Sequence, residues 1–351
     1  MVTRLISLGT LSFLLLHPPV LLADRPVDPL VASAPPLVVS PPDPDIDTRF
    51  NLKSLPGNSA ELHKIEDAMA KALPDTLKAL VCIQIDGGSG SGVIVSPNGL
   101  ILSAAHVVME PGKQLDIVLQ GGKKVKAETL GLVPETDAGM ARIIDEGTYD
   151  FVPLGNYQEL KLGYWCFALG HSGGWDEARG PVVRIGRVIR LKDGTMQSDC
   201  KLIGGDSGGP LFDMYGRLIG INSRVGMNIE ESLHCPSNVF IDNDNALRRG
   251  VVVGQEKDAF LGAGTAENNG DGIKVTKLLK DGPAMRAGLK ESDVLTAVFG
   301  EPIKDKAGLT AALGQIKAGE RVLIKIRHAD GKEEEKWIRT TSRDGFDVMG
   351  T

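Results

Sequence analysis

Apolar and polar positions divide the chain into stretches of different texture. Arg4 precedes an apolar run from Leu5 to Leu16, and Pro18-Pro19 then stops any helix. That length and flank predict an export signal over 1–23 ending at Ala23, or a membrane anchor if it is retained. Seven of the 20 prolines fall between Pro26 and Pro44. Their fixed φ and missing donors predict an extended tether over 24–57. From Asn58, with Glu61 three places on, Leu62, Ile65, Met69 and Leu73 repeat at helical spacing, which predicts a capped amphipathic helix ending at Pro74.

Between Ala79 and Asp242 the pattern becomes short β-branched runs, such as Val93-Ile94-Val95 and Leu218-Ile219-Gly220-Ile221, separated by Gly, Asn and Pro turns. This spacing predicts β-barrels or a sandwich, in a first domain over 58–255. From Glu256 the texture shifts again. Gly272 to Leu278 and Arg321 to Arg327 alternate, Pro283 to Leu289 reads as a helical turn, and Leu309, Leu313 and Ile316 share a helical stripe. That stripe serves either a groove or a core. A second, α+β domain is expected over 256–341, with a tail over 342–351.

Composition narrows the function. There are 43 glycines in 351 residues, which favours tight turns over long helices. The net charge of −6 has the wrong sign for a nucleic-acid binder. The four cysteines, Cys82, Cys166, Cys200 and Cys235, show no C-x-x-C spacing, so no metal or cofactor is expected. Cys200 to Cys235 is a candidate disulfide, with free buried thiols as the alternative.

The chemistry centres on Gly205-Asp206-Ser207-Gly208-Gly209-Pro210, a serine among glycines that let the backbone turn sharply. A hydroxyl is a weak nucleophile near neutral pH, so it needs a base, and the base needs an orienting carboxylate. His106 stands at the end of the apolar strand Ile101 to Ala105, and Asp137 heads the small apolar segment Ala138 to Ile143. Another Gly-rich turn carries His171, read here as a solvated loop residue. Gly87 to Gly92 lacks the Gly-Lys-Ser/Thr ending of a phosphate cradle and reads as a hairpin.

These residues carry a resemblance to the trypsin-like HtrA/Deg serine proteases, in which a protease domain precedes one or more PDZ domains. The Gly90 to Gly99 hairpin, the Asp137 segment, Leu162-Gly163 with Ala168-Leu169-Gly170, and Gly205 to Leu211 all match, and His, Asp and Ser lie 31 and 70 positions apart. Gly282-Pro283-Ala284, Ala287-Gly288-Leu289 and Asp293-Val294-Leu295 resemble a PDZ domain. The implied fold is mainly β, a two-barrel chymotrypsin-like domain followed by a PDZ domain.

The resemblance implies a periplasmic or extracellular, ATP-independent endopeptidase acting on unfolded polypeptides, with trimeric assembly. In it His106 is the base, Asp137 orients it, Ser207 attacks, and the N–H groups of Gly205 and Ser207 form the oxyanion hole. Leu202 would wall the specificity pocket, with Lys201 beside it as the other determinant. Ile221, Asn222 and Ser223 would pair with an extended substrate, and Phe260-Leu261-Gly262 would capture a peptide C-terminus. A non-catalytic peptide-binding or chaperone protein on the same fold is the alternative.

Four positions depart from the family pattern. Asp206 stands where Asn is common, Ala138-Gly139 is smaller than the usual aliphatic pair and predicts a loosely held Asp137, and Ser292 replaces a frequent glycine.

Overall fold

The computed structural model describes residues 26, 28–32, 35–40, 56–192, 194–225 and 232–345. The segment read as an export signal lies outside the described residues.

The helix expected from Asn58 forms over Ser59–Ala79. Its cap is reciprocal: Asn58 Oδ1 accepts the Glu61 N–H at 3.0 Å, and the Glu61 carboxylate accepts the Gly57 N–H at 2.7 Å. The helix does not stop at Pro74, as its sequence predicts, but continues through it. An internal proline costs about 3 kcal/mol through a lost donor and a ring clash. Here Thr76 Oγ1 donates to the Ala72 and Leu73 carbonyls at 3.3 and 3.0 Å. Ile65, Leu73, Leu77 and Ala79 pack on the barrels, so tertiary burial outweighs the local break. Leu62, expected on the same stripe, is exposed.

Two closed six-stranded antiparallel barrels follow. The first is made of β1 (Leu80–Ile85), β2 (Gly88–Ile94), β3 (Leu100–Ala104), β4 (Gln114–Leu119), β5 (Lys124–Val133) and β6 (Ala138–Ile143), in the order β1-β2-β3-β6-β5-β4. The second uses β7 (Trp165–Gly170), β8 (Val182–Lys192), β9 (Thr195–Ser198), β10 (Pro210–Asp213), β11 (Leu218–Val225) and β12 (Ser232–Pro236), in the order β10-β11-β12-β9-β8-β7. Closure leaves no unpaired sheet edge to aggregate.

The barrels are joined by one core. Leu80, Leu102 and Met140 from the first pack in the same cluster as Phe167, Phe212 and Ile221 from the second. The Phe167 and Phe212 rings lie 5.3 Å apart at 37°. Each fully buried side chain of this size contributes roughly 1.5–3 kcal/mol, which fixes the seam where the candidate residues meet.

All four cysteines are buried and free. The candidate Cys200–Cys235 disulfide is not made, because the two belong to different clusters: Cys235 lies in the core shared by the barrels, and Cys200 lies inside the second barrel with Cys166.

The C-terminal domain is a sheet in the order β13 (Ala263–Glu267), β14 (Ile273–Leu278), β15 (Val294–Val298), β17 (Arg321–Arg327), β18 (Glu333–Arg339), with β16 (Glu301–Pro302) paired to β15. Helices Pro283–Arg286 and Lys306–Leu313 cover it. Val322, Ile324 and Ile326 alternate into its core as their sequence predicts. Leu309 and Ile316 join that core. Ser292 sits at φ +78°, the strained geometry its neighbours impose on a non-glycine residue. Arg339 Nε donates to Glu128 Oε1 of the first barrel at 2.7 Å, tying the two domains.

Candidate active site

His106 lies in the short helical turn Ala105–Val108 that follows β3, and Asp137 lies just before β6. Pairing of these strands sets Ala104 opposite Ala138, so the residues beyond their ends are adjacent. The Ala105 N–H donates to the Asp137 carbonyl at 2.9 Å, and the His106 N–H donates to Asp137 Oδ1 at 3.0 Å. The His106 ring reaches the carboxylate through Nδ1, at 3.0 Å from Oδ1 and 2.9 Å from Oδ2. A carboxylate only accepts, so Nδ1 carries a proton, and in the neutral ring Nε2 is then the nitrogen that keeps a lone pair.

Asp137 is tightly held rather than loose. Ser223 Oγ, from the second barrel, donates to Oδ2 at 2.5 Å. The small residue at 139 explains the fit: a Cβ on Gly139 would fall 2.8 Å from both the Ala104 carbonyl oxygen and Val108 Cγ2. Glycine lets β6 lie against the turn that carries His106. The Asp137 carboxylate keeps three donors although its own backbone is at φ +60°.

Burial would raise the Asp137 pKa, but the hydrogen bonds from His106 and Ser223 outweigh it and hold the carboxyl below its ordinary range. The same contact with Asp137 raises His106, against a smaller opposing effect of burial. The result is an imidazole whose protonated form is favoured by a carboxylate that is itself favoured in its charged form.

Ser207 is carried on the loop between β9 and β10, where its Oγ donates to the Ser223 carbonyl at 3.3 Å. The loop is clamped to the first barrel by Ser91 of β2. The Ser91 N–H donates to the Ser207 carbonyl at 2.8 Å, and Ser91 Oγ donates to the Gly205 carbonyl at 2.8 Å. Gly208, at φ +82°, passes so close that a Cβ would lie 2.1 Å from Ser103 Oγ. Only glycine allows that approach.

The Gly204 carbonyl accepts the Gly173 N–H at 2.8 Å. A trans peptide points its C=O and N–H in opposite directions, so the Gly205 N–H turns away from that loop. Neither the Gly205 N–H nor the Ser207 N–H donates to a protein acceptor among the described residues.

Other sequence expectations are placed as follows. Leu202 is buried inside the second barrel with Tyr164, Ala168 and Leu211. Ile221 is buried in β11, with its backbone opposite Pro210 and Cys235. Asn222 is fully buried; its Nδ2 donates to the Leu169 and Asp206 carbonyls, and its Oδ1 meets His234 Nδ1 at 3.0 Å. These contacts turn Ile221 and Asn222 inward, and of the three strand residues only Ser223 touches the His–Asp pair.

His171 is not solvated. It is 1% exposed, its ring lies 5.3 Å from Trp175, and neither ring nitrogen has a partner among the described residues. Burial, with the Arg179 charge adding to it, pushes its pKa down to about 4, so the ring is neutral at pH 7.

In the C-terminal domain the Phe260 N–H is already donated to the Thr341 carbonyl at 2.8 Å. Leu261 is buried, and Gly262, at φ +70°, lies against Pro283 at the start of β13.

Sequence reasoning missed Ser91, Ser172 and Arg184. Ser91 had a signal, a serine flanked by two hairpin glycines, but its partner Gly205 lies 114 positions away in the chain.

Two closed barrels with His, Asp and Ser gathered at their seam define a trypsin-like peptidase architecture. Residues 90–221 match the family model for a trypsin-like peptidase domain, and residues 259–339 match that for a PDZ domain. The chain thus carries a trypsin-like peptidase domain followed by a PDZ domain.

A protein of Pseudomonas putida (strain W619) named "Probable periplasmic serine endoprotease DegP-like" is 33% identical over 276 residues, covering 74% of this chain and 55% of its own. One of the same name from Halomonas elongata is 32% identical over 253 residues, covering 68% and 53%. The chain thus spans about half the length of the curated relatives it matches. Among solved structures, the serine endoprotease from Yersinia pestis is 23% identical with a TM-score of 0.46, covering 82% of this chain and 99% of that one. HtrA-type protease AlgW with a tripeptide is 23% identical with a TM-score of 0.47, covering 78% and 96%.

Proposed function

We propose that this chain is an exported serine endopeptidase that cleaves unfolded polypeptides through an acyl-enzyme. The observation that carries the reading is the His106 imidazole, fixed through Nδ1 on an Asp137 carboxylate that Ser223 also holds. This leaves Nε2 as the proton acceptor for Ser207, whose Oγ rests on the Ser223 carbonyl.

In the reaction Ser207 Oγ gives up its contact with the Ser223 carbonyl, passes its proton to His106 Nε2 and attacks the scissile carbonyl. Asp137 stabilises the imidazolium. The oxyanion is taken by the N–H groups of Gly205 and Ser207, each donor of this kind contributing roughly 2.7–4 kcal/mol. His106 then protonates the leaving amine, and a water that it deprotonates releases the acyl group and regenerates the serine.

The exposed end of β11, Arg224-Val225, offers the backbone on which an extended substrate can pair. The PDZ domain takes a peptide C-terminus at Leu261-Gly262, where β13 forms the edge of the sheet. Periplasmic residence agrees with the names of the relatives and with the N-terminal apolar run. Association into a homo-oligomer, a trimer by resemblance, completes the reading.

Fluorophosphonate labelling of the purified chain, with peptide mapping, tests it. An adduct on Ser207 that Ser207→Ala abolishes is expected. A chain that binds unfolded protein yet never labels would establish the peptide-binding alternative.

A further inference from the structure

Asp206 is the residue between the two proposed oxyanion donors, and it is fully buried. Every polar atom of it is engaged. Oδ1 accepts from Ser172 Oγ at 2.6 Å, and Oδ2 accepts from the Ile203 N–H at 2.9 Å and lies 3.0 Å from Arg184 Nη2. The Asp206 N–H donates to the Ile203 carbonyl at 3.1 Å, while its carbonyl accepts from the Gly209 N–H at 2.9 Å and from Asn222 Nδ2 at 3.3 Å.

Arg184 Nη2 also donates to Ser172 Oγ at 3.0 Å. One guanidinium nitrogen on β8 therefore meets two loops at once, the 171–174 turn and the loop that carries Ser207. Those loops set the oxyanion geometry between them, since the Gly173 N–H holds the Gly204 carbonyl and Gly205 lies flush against the His171 carbonyl, where a Cβ would be 2.4 Å away. Behind Asp206 the wall is equally close: a Cβ on Gly170 would fall 2.5 Å from its Oδ1.

We propose that Arg184 is a positioning residue for catalysis: its ion pair with Asp206, shared with Ser172, presets the Gly205 and Ser207 N–H groups toward the substrate oxyanion. The physical reason is the asymmetry of buried charge. A carboxylate with no cation in this site would be uncompensated and would draw water or backbone donors to itself, turning the neighbouring peptides out of line. With Arg184 in place the carboxylate is satisfied and the loop has one low-energy arrangement.

The inference rests on the peptidase reading, and the test separates the two. In the full chain, Arg184→Gln is expected to lower kcat and the rate of fluorophosphonate labelling at least tenfold while KM moves less than about twofold. Arg184→Gln with Asp206→Asn should recover most of the rate, since the amide oxygen still accepts from Ser172 or Ile203 and no buried charge is left alone. Arg184→Lys, which keeps the charge without the planar fork, should lie between the parent and Arg184→Gln, and it stands in if Arg184→Gln does not fold. Parental labelling in Arg184→Gln, a change confined to KM, no recovery in the double variant, or an Arg184→Lys rate at the parental value would overturn the positioning role. A parent chain that does not label would overturn the peptidase reading itself.

Discussion

Ser223 Oγ donates to Asp137 Oδ2 at 2.5 Å across the seam between the barrels, from a position 86 residues further along the chain. The same residue's carbonyl accepts from Ser207 Oγ at 3.3 Å. One serine on β11 thus touches both ends of the proposed catalytic set, and it does so only when the two barrels are docked.

Ser223→Ala removes a hydrogen bond to an ionised carboxylate but leaves the backbone carbonyl in place. Such bonds contribute roughly 1.5–3 kcal/mol, so kcat/KM should fall at least about tenfold while Ser207 still labels. Steady-state kinetics on a fluorogenic peptide check this. An unchanged kcat/KM would show that the His106 contacts alone orient Asp137.

The pH dependence follows from the direction of the His106 shift. Asp137 raises the imidazole above its ordinary value of 6.5, against opposing effects of burial and the Arg224 charge. The base form is therefore lost as pH falls through a midpoint above 6.5. Asp137→Asn takes away the anion, so the acid limb of kcat/KM should move to lower pH while turnover drops by roughly 10⁴, the loss given for the corresponding change in a chymotrypsin-type enzyme. An acid midpoint that stays in place in Asp137→Asn would mean that another group governs the limb.

Ser292 carries a cost that a single substitution can relieve. It is exposed and holds φ +78°, with its N–H donated to the Val275 carbonyl at 2.8 Å. Ser292→Gly keeps that bond and removes the Cβ strain, with a net gain of about 1 kcal/mol after the added unfolded-state freedom. Urea unfolding of the full chain, followed by the transition of the C-terminal domain, should show a later midpoint. An earlier one would place the strain elsewhere.

Much of this was written locally. The Asn58–Glu61 cap, the alternation of Arg321 to Arg327, and the glycines around Ser207 each report on a neighbour within a few positions, so a reader of the sequence can see them. Pro74 misled because its penalty is local, whereas the packing of Leu77 and Ala79 that offsets it is not. His171 misled for the same reason: its Gly-rich surroundings resemble a surface turn, yet Trp175 and the chain around it close over the ring.

The sequence by itself determined the order of the domains, their β texture, the order of His106, Asp137 and Ser207, and the glycines that permit close approach, because periodicity and backbone freedom are properties of short segments. Tertiary structure decided which polar groups meet. Ser91 reaching Gly205 and Ser223 reaching Asp137 depend on the docking of two barrels, and Arg184 joining Ser172 to Asp206 depends on strand register within the second. Such contacts leave no periodic trace, because nothing in a serine or an arginine announces its partner until burial makes an unpaired group costly.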